Sequence, residues 1–134
     1  MASLAQQLDY THLLGVESRG FIFASALALH SQKSLVLVRK PNKLPLASHR
    51  ESYGLEYGSD ALEIQSVSLP AGSRVLLIDD VLATGGTLLA TSKLVKQVGA
   101  NAIASICLLE IECLGGRAKL ESHGIASHTV LKTP

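Results

Sequence analysis

The chain has 134 residues, a formal net charge of +1, 47% hydrophobic residues and 17% charged residues. That length suits a single hydrophobic core, and the balanced charge excludes a general polyanion-binding surface, so no nucleic-acid partner is expected. Cys107 and Cys113 have no second pair to form a disulfide framework or zinc site, and residues 1–7 lack both a basic n-region and a long apolar run, which reads as a cytoplasmic protein with no signal peptide or membrane span.

In chain order, residues 2–9 suit a short helix, and Leu13-Leu14-Gly15-Val16 reads as a buried strand. Residues 21–30 are small and apolar all round, which suits a helix packed on a sheet. Leu35-Val36-Leu37-Val38 is a second buried strand. Residues 41–61 show little periodicity and read as a long flexible loop, a length that in compact domains often serves as a functional lid. Residues 62–67 alternate weakly, as an edge strand would. A strand over 74–78, a helix over 86–98, a strand over 102–109, a helix over 114–122 and a strand near 126–131 complete the pattern. Strands alternating with helices predict an α/β fold, a Rossmann-like parallel sheet flanked by helices, in one domain spanning 1–134.

The densest chemistry lies in Val75-Leu76-Leu77-Ile78-Asp79-Asp80-Val81-Leu82-Ala83-Thr84-Gly85-Gly86-Thr87. A buried strand ends in two carboxylates, and a small glycine-bearing turn leads into a helix. The turn offers free amides at a helix N-terminus, where an anion is favoured. Glycine lets the backbone approach a phosphate closely, and the acids can accept hydrogen bonds from sugar hydroxyls. A β-to-α turn with only a threonine cap needs neither the acid pair nor two glycines. Two cationic turns follow the earlier strands: Gly15-Val16-Glu17-Ser18-Arg19-Gly20, and Arg39-Lys40-Pro41-Asn42-Lys43. Ligands of such sheets bind at the carboxyl ends of the strands. One anion turn plus two cationic ones points to a ligand with more than one phosphate group.

The Asp-Asp-to-Gly-Gly-Thr run resembles the phosphoribosyl-pyrophosphate (PRPP) motif of the type I phosphoribosyltransferases. With Gly15-Val16-Glu17-Ser18-Arg19-Gly20-Phe21, Val38-Arg39-Lys40-Pro41, Lys43-Leu44-Pro45, Leu55-Glu56-Tyr57-Gly58 and Leu62-Glu63-Ile64-Gln65, the chain resembles the adenine phosphoribosyltransferases from about residue 12 to 131. The resemblance implies conversion of adenine and PRPP to AMP and pyrophosphate in purine salvage, with Mg²⁺, by a homodimer. It also implies site roles. Ala83, Thr84, Gly85, Gly86 and Thr87 would hold the 5-phosphate, and Asp79 and Asp80 the ribose hydroxyls. Ser18 and Arg19 would meet the pyrophosphate, and Arg39, Lys40 and Lys43 would neutralise it as it leaves. Glu56, with Tyr57, would act as acid/base on the purine within a mobile catalytic loop at 41–61. No residue is expected as a direct metal ligand, since Mg²⁺ would be held mainly by PRPP and water. Members of that family usually begin with a few dozen further residues that form a hood over the adenine. Only ten residues precede Thr11 here, so the expectation is a domain without that hood.

Two other readings stay open: a PRPP-binding or regulatory module with weak or no base transfer, and a phosphoacceptor receiver domain, since Asp79-Asp80 also ends a parallel strand. The receiver reading leaves Gly85-Gly86-Thr87 unexplained. The histidines, His12, His30, His49, His123 and His128, show no ligand spacing, and Gly115-Gly116-Arg117 reads as a helix start on the far side of the sheet.

Overall fold

The structure, a computed structural model, describes residues 1–55 and 58–134. In chain order the elements are α1 (Ala2–Ala5), β1 (His12–Val16), α2 (Gly20–Ser31), β2 (Ser34–Val38), β3 (Ser48–Leu55), β4 (Gly58–Gln65), β5 (Arg74–Leu82), α3 (Gly86–Gln97), β6 (Asn101–Ile111), α4 (Gly116–Glu121) and β7 (Ala126–Thr133). A 3₁₀ turn, Glu112–Leu114, links β6 to α4.

The main sheet has five strands in the order β2-β1-β5-β6-β7, all paired in parallel. Its central strands β1 and β5 are apolar on both faces because both faces are covered there. Leu14, Val16, Val75 and Leu77 point into a core with α3, α4 and β4. The alternate residues Leu13, Leu76 and Ile78 point into a second core with α1 and α2. Each such side chain, fully buried, contributes roughly 1.5–3 kcal/mol.

Between β1 and β5 the order of strand addition reverses. The chain lays β2 on one side of β1 and later returns to place β5 on the other. The loops leaving β1 and β5 therefore diverge to opposite faces and leave a crevice at the strand ends.

Two expectations need correction. Residues 41–61 are not a structureless loop. β3 and β4 form an antiparallel hairpin, registered from Ser48↔Gln65 to Leu55↔Gly58, which also takes in the expected edge strand. Leu62 and Ile64 are fully buried and anchor it to the core, while the polar residues of β3 give little hydrophobic pattern. β5 also runs past the acid pair to Leu82, because β6 continues beside it through Val81↔Leu109 and Leu82↔Glu110. No helix among the described residues is long and apolar enough to cross a membrane.

Candidate active site

The crevice at the ends of β1 and β5 is a cleft of about 680 Å³. It brings together Ser18, Arg19, Lys40, Asp79, Asp80, Ala83 and Thr87, residues drawn from separate turns of the chain. Thr84, Gly85 and Gly86 line an adjoining concavity of the turn itself, with Ala83 and Thr87. Arg39 and Lys43 line a different groove, beside β2. Glu56 and Tyr57 lie outside the described residues.

The turn after β5 is shaped by glycine. Gly85 caps α3 in the left-handed region, at φ 75°, and no side chain caps the helix. The first-turn amides of α3 are thus left for an anion. A Cβ on Gly85 would stand 2.9 Å from the Gly116 carbonyl oxygen, and one on Gly116 would stand 2.2 Å from the Ala83 carbonyl oxygen. The start of α4 is therefore seated directly behind the 83–87 turn. The expected position for Gly115-Gly116-Arg117, on the far side of the sheet, is corrected accordingly. On the opposite wall, a Cβ on Gly20 would stand 2.8 Å from the Ile78 carbonyl oxygen and 3.1 Å from Asp79 Oδ1, so α2 enters against the end of β5. The Glu17–Ser18 peptide in that wall is cis.

Acids and bases in the cleft are paired with one another. Arg19 Nε donates to Asp80 Oδ2, although the Arg19 side chain is 74% exposed. Lys40 Nζ is 2.8 Å from Asp60 Oδ2 and lies over the Tyr53 ring, 5.8 Å from its centroid. Glu17 is the hub of the cationic loop. Its carboxylate accepts from Lys43 Nζ and, at 2.6 Å, from the Lys40 amide, and it lies 3.6 Å from Arg39 Nε. Arg39 and Lys43 thus meet the main cleft only through Glu17, which lines it.

These contacts set the charge states. Burial pushes the Glu17 carboxyl up, but Lys43, the Lys40 amide and Arg39 together outweigh it and hold the group below its ordinary value. Burial lowers the Lys40 ammonium, and Asp60 and Tyr53 more than reverse that. Asp79 goes the other way. Burial and the neighbouring Asp80 charge push its carboxyl up to about 7, against the Asp80 amide that donates to it at 2.9 Å and against Arg19. The two adjacent acids thus differ in surroundings: burial dominates at Asp79, and Asp80 is paired with Arg19.

Sequence reasoning missed Glu17, Tyr53 and Asp60. Glu17 carried a signal, as the lone acid between cationic turns at the end of a buried strand. Tyr53 and Asp60 carried none, because they reach the cleft only through the hairpin.

A family model described as phosphoribosyl transferase domain matches residues 1–124. A curated relative named adenine phosphoribosyltransferase, from Polynucleobacter asymbioticus, is 60% identical over 131 residues, covering 98% of this chain and 76% of the relative. The chain belongs to the adenine phosphoribosyltransferase family. Membership removes the receiver-domain alternative. It also accounts for the five-stranded sheet, which is shared with a solved family member from Rhodothermus marinus at 43% identity and a TM-score of 0.90, over 98% of this chain and 74% of that one. The member from Trypanosoma brucei, solved in complex with AMP, pyrophosphate and ribose-5-phosphate, superposes with a TM-score of 0.87 at 30% identity, over 98% of this chain and 60% of that one.

Proposed function

We propose that this chain transfers the phosphoribosyl group of PRPP to adenine, releasing pyrophosphate and forming AMP. The observation that carries the reading is the crevice between β1 and β5, where an acid pair and an uncapped glycine turn face the Ser18-Arg19 turn and Lys40. A sugar with a phosphate at each end fits that polarity: amides at one end, cations at the other and carboxylates between them. The ligands named for the Trypanosoma brucei member are the product, the leaving group and the sugar phosphate of such a reaction.

The chemistry follows from the charges. As pyrophosphate departs, positive charge develops at the glycosidic carbon and negative charge on the leaving group. Arg19 exchanges Asp80 for the pyrophosphate, and Lys40 exchanges Asp60. Each swap trades one anion for another, so neither cation is stranded. Asp80, released from Arg19, and Asp79 then accept hydrogen bonds from the ribose hydroxyls. Amides and hydroxyls of 83–87 hold the 5-phosphate. Arg39 and Lys43, tied to Glu17, add positive potential from behind. The hairpin β3–β4 covers the cleft and keeps water from the sugar cation. Glu56 and Tyr57 act on the purine proton; that role rests on resemblance alone.

Mg²⁺ belongs to the same proposal. The described residues hold no cluster of three or more histidine, cysteine or acidic side chains placed to bind a metal. The Asp79-Asp80 pair suits an ion that keeps its waters and rides on substrate phosphates. When bound, Mg²⁺ supplies charge neutralisation of the leaving pyrophosphate.

A homodimer is also proposed. The outer face of α2 leaves Ile22 69% and Leu29 82% exposed, with exposed Ala26 between them at helical spacing. Such an apolar stripe, repeated by symmetry, suits a self-complementary contact. A cytoplasmic location accords with the free thiols Cys107 and Cys113.

The test is pyrophosphate release from PRPP and Mg²⁺ with adenine, hypoxanthine or guanine. Release with adenine alone is expected. Stabilisation by PRPP without release with any base would overturn transferase activity and leave a binding module.

A further inference from the structure

Resting on the reading of 83–87 as the 5-phosphate turn, we propose that Arg117 is a positioning residue for that turn, clamping α4 to β6 and β7 so that Gly116 backs Ala83 and Gly85. Arg117 lines neither the main cleft nor the concavity of the turn. It acts through its neighbour in sequence, Gly116.

The phosphate turn has no wall of its own on the α4 side. It leans on the backbone of Gly116, at contact distances too short for any Cβ. The support is therefore only as firm as α4. That helix has six residues, too few to hold its shape alone, and Leu120 is its one large, fully buried side chain. The second anchor is the Arg117 guanidinium. Its Nε donates to Glu110 Oε1 at 2.9 Å and Oε2 at 3.2 Å, and its Nη2 donates to Glu110 Oε2. Nη2 also donates to Thr129 Oγ1 at 3.0 Å, and Nη1 donates to the Ser127 carbonyl. Thr129 Oγ1 closes the ring by donating to Glu110 Oε2 at 3.0 Å.

One planar fork thus joins a short helix to β6 near its end and to the first half of β7. Glu110 is 4% exposed, so the pairing is well shielded from water. Arg117 is the main reason that its carboxyl lies below the ordinary value despite burial. Lysine keeps the charge but has no fork, and cannot serve three acceptors in one plane. A turn held by amide hydrogen bonds is sensitive to displacement: an error of about 1 Å in a bound group can cost on the order of 100-fold.

The test uses the full chain, with Arg117→Lys and the double variant Arg117→Met with Glu110→Leu. The double variant leaves no unpaired buried charge, which favours folding. Circular dichroism establishes folding, and calorimetry well below the melting temperature gives the affinities for ribose 5-phosphate and for pyrophosphate. Ribose 5-phosphate affinity is expected to fall by about tenfold or more. Pyrophosphate affinity should stay within about twofold, because the Ser18-Arg19 wall is unaltered. The Michaelis constant for PRPP should rise with that for adenine unchanged. Folded variants that keep ribose 5-phosphate affinity, or that lose both ligands equally, would overturn the role. So would failure of both variants to fold, which would make Arg117 a general folding residue. If the unsubstituted chain itself fails to bind ribose 5-phosphate, the functional reading falls and this role falls with it; that failure shows in the parent and not in the variants.

Discussion

Replacing Gly116 by alanine would place a methyl carbon 2.2 Å from the Ala83 carbonyl oxygen, 2.8 Å from Leu82 Cδ1 and 2.9 Å from the Gly85 amide nitrogen. Two of these three neighbours are backbone atoms of the 83–87 turn, and Leu82 is 1% exposed and has nowhere to go. Relief requires the turn and α4 to separate by about 1 Å. Overpacking of this kind costs about 1–3 kcal/mol. Gly116 is outside the left-handed region, so alanine recovers up to about 1 kcal/mol of helix propensity. The net loss should be about 1–2 kcal/mol, a fall in melting temperature of about 4 °C per kcal/mol for a chain of this size. Gly115→Ala is the control. Gly115 has φ +69° with nothing within 4 Å of its ideal Cβ. Its variant should lose a similar stability, about 1–2 kcal/mol, from backbone conformation alone. The two variants should then part in steady-state kinetics. Gly116→Ala should raise the Michaelis constant for PRPP by about tenfold or more, and Gly115→Ala should leave it within about twofold. Equal constants for the two variants at equal stability would refute the argument that Gly116 seats the turn.

Other expectations concern charge and packing. Asp79 should make folding less favourable as pH rises, because its native carboxyl holds a proton up to about 7, against 3.8 for an ordinary aspartate. Between those values the unfolded chain binds fewer protons than the native one, so the stability present below 3.8 is lost as pH climbs through 7. Melting curves of Asp79→Asn should therefore lie above the parent's at pH 8 and converge with it in acid; identical curves at all pH values would contradict the shift. Glu17 has the opposite sign. Its depressed carboxyl contributes stability above its ordinary value of 4.5 that disappears as pH falls through the native value, and Glu17→Gln should lose about 1–3 kcal/mol near neutrality. In urea titrations an unchanged midpoint for that variant would show that Lys43 and Arg39 do not depend on it. Leu77→Ala, in the centre of β5 and fully buried, should cost about 2–5 kcal/mol by the same measurement.

The parallel sheet was readable because its central strands, β1 and β5, carry apolar runs buried on both faces, and the strand-to-helix turn at 83–87 because its glycines interrupt the apolar pattern. The hairpin was not readable. Ser48-His49-Arg50-Glu51-Ser52 is polar throughout, and its pairing is carried by backbone hydrogen bonds and by Leu62 and Ile64 on the partner strand. Cleft residues contributed by that hairpin, Tyr53 and Asp60, were hidden for the same reason. Proximity across long separations was likewise invisible. Gly116 meets Ala83, and Glu17 meets Lys43, only because the crossovers bring the strand ends to one edge of the sheet. The direction of the Arg39 and Lys43 side chains follows from that second contact, which no motif spells out.

The pairing of Arg19 with Asp80 and of Lys40 with Asp60 means that the cleft carries its own counter-ions, and Lys43 beside it is met by Glu17. A cleft that drew its neutralising anions from solution would release them when a polyphosphate entered, and its affinity would fall steeply as salt rose. Here the displaced anions are carboxylates fixed to the protein, which stay behind and turn to other partners. Substrate affinity should therefore depend on ionic strength far less than the number of cations around the site would suggest, and the site would keep its grip across wide swings in the salt around it.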